Sequence, residues 1–145
     1  MSRLYSSFEG DQKLEKFGIW LDYGSFRVLA AYAGGANKAY LKSIETRTKH
    51  LRRAIASGSV PNDLLQTILI DVYVETIILG WETMDENTGE MVQGIEDKEG
   101  NILPFNQENV RKTLKNLPNL FLNIQDAVSS ATNYRKEQLD TEGKN

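Results

Sequence analysis

The stretch PNDLLQTILIDVYVETIILGW, residues 61–81, constrains this chain more than any other. Leu64, Leu65, Ile68, Leu69, Val72, Tyr73, Ile77, Ile78 and Trp81 cover a broad face. Thr67, Asp71 and Glu75, four residues apart, leave a narrow polar stripe. Pro61 can open a helix where its missing N–H is not needed. Ile68, Ile70, Val72, Val74, Ile77 and Ile78 are β-branched and would also suit a strand. Length and the period of the polar stripe select a helix over 61–81. Burial of each large side chain is worth about 1.5–3 kcal/mol, largely offset by ordering entropy. This helix is therefore the expected core.

The flanking segments supply what packs on it. In residues 17–33, Ile19, Leu21 and Tyr23 alternate with Trp20 and Asp22. After Gly24-Ser25, Phe26, Val28 and Ala30 alternate with Arg27 and Leu29. Two alternating runs around a glycine-containing turn predict a β-hairpin. Trp20 and Leu29 fall on its outer face, so the hairpin is expected to be covered on both sides or to meet another chain. Gly34-Gly35 releases the chain into a helix over about 37–56, capped by Asn37. Residues 82–104 are acidic and rich in turn formers, which predicts a long loop, with room for a small hairpin through Met91-Val92 and Ile102-Leu103. Asn106 caps a helix over 107–117, and Pro118 restarts one over 119–138. Residues 1–15 read as a flexible N-terminal arm, 16–139 as one globular domain, and 140–145 as a polar tail. At 145 residues the expected fold is α+β, mainly α: an N-terminal β-hairpin packed on a four- to five-helix domain.

Composition narrows the chemistry. The chain has no cysteine and one histidine, which excludes thiol chemistry, disulfides and paired-histidine metal motifs. No apolar run of membrane-spanning length and no signal-type apolar core is present, so a cytoplasmic domain is expected. Asp71 and Glu75 sit one helical turn apart, as an acid/base pair would, but no histidine completes a metal set and a solvated stripe explains them as well. The acidic run Asp85–Glu90 lacks calcium-loop spacing. His50 has no serine motif to serve. Gly34-Gly35 lacks the glycine spacing and the lysine of a phosphate loop. No enzyme and no cofactor are expected.

Charge is segregated along the chain. Residues 37–56 hold Lys38, Lys42, Arg47, Lys49, Arg52 and Arg53 against Glu45. Residues 82–99 hold Glu82, Asp85, Glu86, Glu90, Glu96, Asp97 and Glu99 against Lys98. These zones can neutralise each other within one molecule or between neighbouring copies. Alternatively, basic helix 37–56 can serve a nucleic-acid-binding module, although the net charge of −3 argues against a uniformly basic binder.

Two long runs resemble a known family. Asp22-Tyr23-Gly24-Ser25-Phe26 matches a "D-[YF]-G-x-F" turn, and Ala33 to Asn37 matches an "A-G-G-A-N" turn. Pro118 to Ile124 matches "P-x-L-F-x-x-I", and Asn133 to Arg135 matches "N-Y-R". Over residues 13–139 the chain resembles the tail assembly chaperones of long-tailed bacteriophages. That resemblance implies a nonenzymatic protein of the host cytoplasm that binds the tape measure protein and helps recruit the tail tube protein. It also implies absence from the mature virion. The alternative is a structural tail or connector component. Trp20, Phe121, Ile124, Val128 and Tyr134 are the candidate partner-binding residues. Trp20 suits self-association, while the stripe on the last helix can face a partner helix or close the protein's own core.

Overall fold

Strand pairing begins at the hairpin. In the computed structural model, which describes residues 2–135, β1 (Ile19–Asp22) and β2 (Phe26–Ala30) run antiparallel, from Ile19 opposite Ala30 to Asp22 opposite Arg27. The Asp22 carboxylate accepts the Gly24 N–H at 2.8 Å and closes the turn. Two strands alone are marginal in water. The free edge of β2 is taken by β3 (Ile78–Met84), and β4 (Met91–Gln93) pairs with β3 in turn.

This sheet corrects the expected fold class. The molecule is not a β-hairpin on a four- to five-helix domain: a four-stranded antiparallel sheet, ordered β1-β2-β3-β4, organises it. The expected helix over 61–81 ends at Thr76, giving α5 (Asn62–Thr76), and its last residues become β3. Ile77, Ile78 and Trp81 fit either period, so local pattern could not separate the two states. The deciding partner, β2, lies about fifty residues earlier in the chain. Gly80 has a clear role in the strand. A Cβ there would stand 3.2 Å from the Leu29 Cβ and 3.5 Å from the Trp20 ring. The missing side chain lets β2 and the indole close over β3.

Other boundaries differ from expectation as well. Residues 3–8 and 12–17 form α1 (Arg3–Phe8) and α2 (Gln12–Phe17), capped by Ser2 and Asp11, where a flexible arm was expected. The basic helix is broken into α3 (Lys38–Thr48), a 3-10 turn (Lys49–Leu51) and α4 (Arg52–Ala56). The expected loop 82–104 holds the end of β3, then β4 and a second, two-stranded sheet of β5 (Ile95–Glu96) and β6 (Ile102–Leu103). Its turn formers make tight reverse turns: Asp85 accepts the Asn87 N–H, and Asp97 accepts those of Glu99 and Asn101. After α6 (Gln107–Asn116), α7 (Pro118–Ser129) stops at Ser130 and a 3-10 turn (Ala131–Tyr134) follows. The helix expected over 119–138 is thus cut short at Ser129, while its last residues 136–138 and the tail 140–145 lie outside the described residues.

Helices α5, α6 and α7 cover one face of the sheet. Val28, Ala30, Ile78 and Trp81 meet Ile70, Tyr73, Val74 and Ile77 of the α5 segment, Val110 and Leu114 of α6, and Phe121, Ile124 and Val128 of α7. The Tyr73 and Phe121 rings pack edge to face, 5.1 Å between centroids. On the opposite face of the sheet, Arg27 bonds Glu82 at 2.7 Å and lies 4.2 Å over the Trp20 ring.

Candidate partner-binding surfaces

The motifs that carried the resemblance are fastenings of the fold. Tyr23 stacks on Phe26 and donates its hydroxyl to Asn123 at 2.7 Å, tying the hairpin turn to α7. In the glycine-rich turn, a Cβ on Gly34 would collide with the Tyr32 ring. Asn37 then donates to the Tyr32 carbonyl and caps α3 through the Tyr40 N–H. Ala33 donates to the Val128 carbonyl at 2.9 Å. Asn133 donates to the Ala127 carbonyl, and the buried Tyr134 hydroxyl donates to Ala30 at 3.0 Å. Burial pushes the hydroxyls of Tyr73 and Tyr134 well above the ordinary phenol range.

Four of the five candidate partner residues are therefore corrected. Phe121, Ile124, Val128 and Tyr134 are each 0% exposed and fill the protein's own interior. The α7 stripe of Phe121, Ile124 and Val128 packs on the sheet, and Tyr134, in the 3-10 turn, is tied to Ala30 of β2. Trp20 alone reaches solvent, at 40% exposure, with the Arg27 guanidinium over its ring.

The candidate chemical groups resolve similarly. Asp71 accepts Arg111 at 2.7 Å and lies 3.7 Å from Arg47, while Glu75 accepts Arg47 at 2.8 Å and the Ser43 hydroxyl at 3.1 Å. The two carboxylates thus tie α3, α5 and α6 together. The hydrogen bonds from Arg47 and Ser43 hold the Glu75 carboxyl below the usual carboxylate range. A cleft of about 610 Å³ opens beside it, lined by Gln12, Glu15, Lys16, Lys38 and Leu79 among others. Burial, with Asp11 nearby, pushes the Glu15 carboxyl up. His50 is exposed in the 3-10 turn. Among the described residues no group of three acidic or histidine side chains is placed to hold a metal, and no helix is long and apolar enough to cross a membrane.

Besides Trp20, Leu41, Leu79 and Leu122, exposed large apolar side chains fall in three places. Leu4, Tyr5, Phe8 and Phe17 of α1 and α2 are 62–68% exposed. The far half of the α3–α5 hairpin is an arm: between residues 44 and 69 only Val60 is buried, and Ile55, Leu64 and Leu65 face solvent, as do Lys49, Arg52 and Arg53 on the same segment. The third place is a cleft of about 230 Å³ at the turn end of the sheet, lined by Phe26, Trp81 and Leu120 together with Glu96 and Asp97. Leu117 in that cleft, with Met84 and Ile102 on the neighbouring strands, is exposed. Sequence periodicity could not reveal these surfaces, because it shows which residues are apolar and not which find a partner within the chain.

Residues 35–145 match the family described as YdaY prophage protein. No curated protein and no solved structure matches the chain.

Proposed function

Since the chain belongs to the YdaY prophage protein family and is phage-derived, we propose that it acts in phage tail assembly as a chaperone. It binds the tape measure protein and helps recruit tail tube subunits through noncovalent contacts in the host cytoplasm, then leaves before the virion is complete. One observation carries this reading. Large apolar side chains stand exposed on α1, α2 and the arm while the core is already closed by others. Groups of exposed apolar residues mark protein–protein interaction, and helical partners dock by laying an apolar face against such a surface. The tail motifs of the resemblance add support, because they build the turns and packing that hold these surfaces in place. The former candidates Phe121 and Tyr134 are not part of the binding surface in this proposal. Leu4, Tyr5, Phe8 and Phe17, with Trp20, replace them.

Co-expression with the phage's tape measure protein tests the proposal. The expected result is a soluble complex, lost when Phe8 and Phe17 are both changed to Ser, and no chain in purified virions. A tape measure protein that stays insoluble, together with stoichiometric chain in virions, would favour the structural tail or connector role. A nucleic-acid role using residues 37–56 predicts salt-dependent retention on DNA, which the chaperone reading does not.

A further inference from the structure

The two oppositely charged zones do not meet inside the molecule. No ion pair among the described residues joins residues 37–56 to residues 82–99. Arg47 is committed to Glu75 and Asp71, and Arg27 occupies Glu82. Arg52 lies 3.8 Å from Glu45, both largely exposed, a contact of little strength. Lys42, Lys49 and Arg53 are exposed on the arm, and Glu86, Glu90, Glu96 and Glu99 are exposed at the acidic turns. The exposed charges of both zones are therefore free to meet those of another molecule.

Shape and apolar content agree with charge. The arm carries Ile55, Leu64 and Leu65 exposed, and Arg52 and Arg53 exposed on α4. The acidic cleft presents an apolar floor of Phe26, Trp81 and Leu120 with Leu117 exposed at its side. One surface combines exposed basic and apolar side chains on the same arm, and the other combines acidic and apolar side chains in the same cleft. They belong to different elements: the helical hairpin α3–α5, and the end of the sheet with α6 and α7.

We propose that the arm tip of one copy docks into the acidic cleft of a second copy, so that the chain associates with itself head to tail. Such a contact joins two different surfaces, so it does not close at two copies. It generates a ring or an open filament. The opposite charges set orientation and speed encounter, and the arm's exposed apolar side chains against those of the cleft supply the contact. The proposal is independent of the chaperone reading, because it concerns the purified chain alone.

Sedimentation velocity of the full chain, over a range of concentration and salt, is the test. Wild type is expected to form species larger than a monomer at low salt and to dissociate as salt rises. Arg52→Glu with Arg53→Glu reverses the arm, and Glu96→Lys with Glu99→Lys reverses the charge of Glu96 in the cleft lining and of Glu99 on the turn that follows it. All four side chains are exposed, and circular dichroism checks that each variant keeps its fold. Each variant alone should be monomeric, and an equimolar mixture should reassociate, because each arm then meets a cleft of opposite sign. A monomeric wild type at low salt would overturn the proposal. So would variants that associate as wild type does, or a mixture that stays monomeric.

Discussion

The body of the molecule and its arm are built on opposite principles. In the body, the sheet and α5, α6 and α7 share a continuous interior in which Val28, Ile77, Phe121, Ile124 and Val128 have no exposure at all. In the arm, one buried side chain, Val60, serves about twenty-five residues. The arm is held at its root instead, where Arg47 and Ser43 grip Glu75 and Arg111 grips Asp71. Burial stabilises the body and consumes its apolar surface. Polar anchoring at the root leaves the arm's Ile55, Leu64 and Leu65 free to meet something else. A region poor in buried contacts is also the first to open.

Four measurements sharpen or break that contrast. Phe121→Ala should cost about 3–5 kcal/mol in urea unfolding, the usual penalty for an aromatic cavity. A loss below about 1 kcal/mol would mean that α7 is not part of the core. Gly34→Ala forces a methyl group toward the Tyr32 ring and should cost about 1–3 kcal/mol by the same assay. Asp71→Asn removes the anion shared by Arg111 and Arg47, both partly exposed, and should cost about 1 kcal/mol or less. Hydrogen exchange in that variant should rise in α3 and the first half of α5 before it rises in the sheet. Leu64→Ser with Leu65→Ser should change stability by about 0.5 kcal/mol or less while weakening self-association. A large loss of stability there would show that the arm tip is core after all.

Acid separates the two regions in another way. Glu75 has a lowered carboxyl, so the folded state binds its proton less readily than the unfolded chain does. The stability it adds is complete above the ordinary carboxylate range and disappears as pH falls through the lowered value. Protection of α3 amides, measured relative to their intrinsic exchange rate at each pH, should therefore fall in acid. Tyr73 and Tyr134 act at the other extreme, because their raised hydroxyls favour the folded state only while protonated. Body stability should decline once pH rises past the ordinary phenol value of about 10. A thermal melt that is unchanged there would show that neither Tyr73 nor Tyr134 is buried as described.

Local features were legible in the sequence wherever the signal was local. Asp22 and Gly24 marked their turn, Asn37 and Asn106 capped α3 and α6 as expected, and Pro118 opened a new helix. The apolar stripe of α7 was also readable, but not its direction. Phe121 and Tyr134 carry the same side chains whether they face a partner or their own sheet, so composition could not decide between binding site and core. Trp20 kept its place at the surface because Gly80 gives its ring somewhere to lie.

The sequence by itself determined the turns, the caps, the charge zones and the absence of cysteine chemistry, since each depends on residues close together in the chain. Only the tertiary structure decided that residues 78–84 form a strand, because that choice depends on a free edge of β2 some fifty residues away. It likewise decided which apolar residues stay outside. Burial belongs to a pair of surfaces, and one strip of sequence contains only one of them.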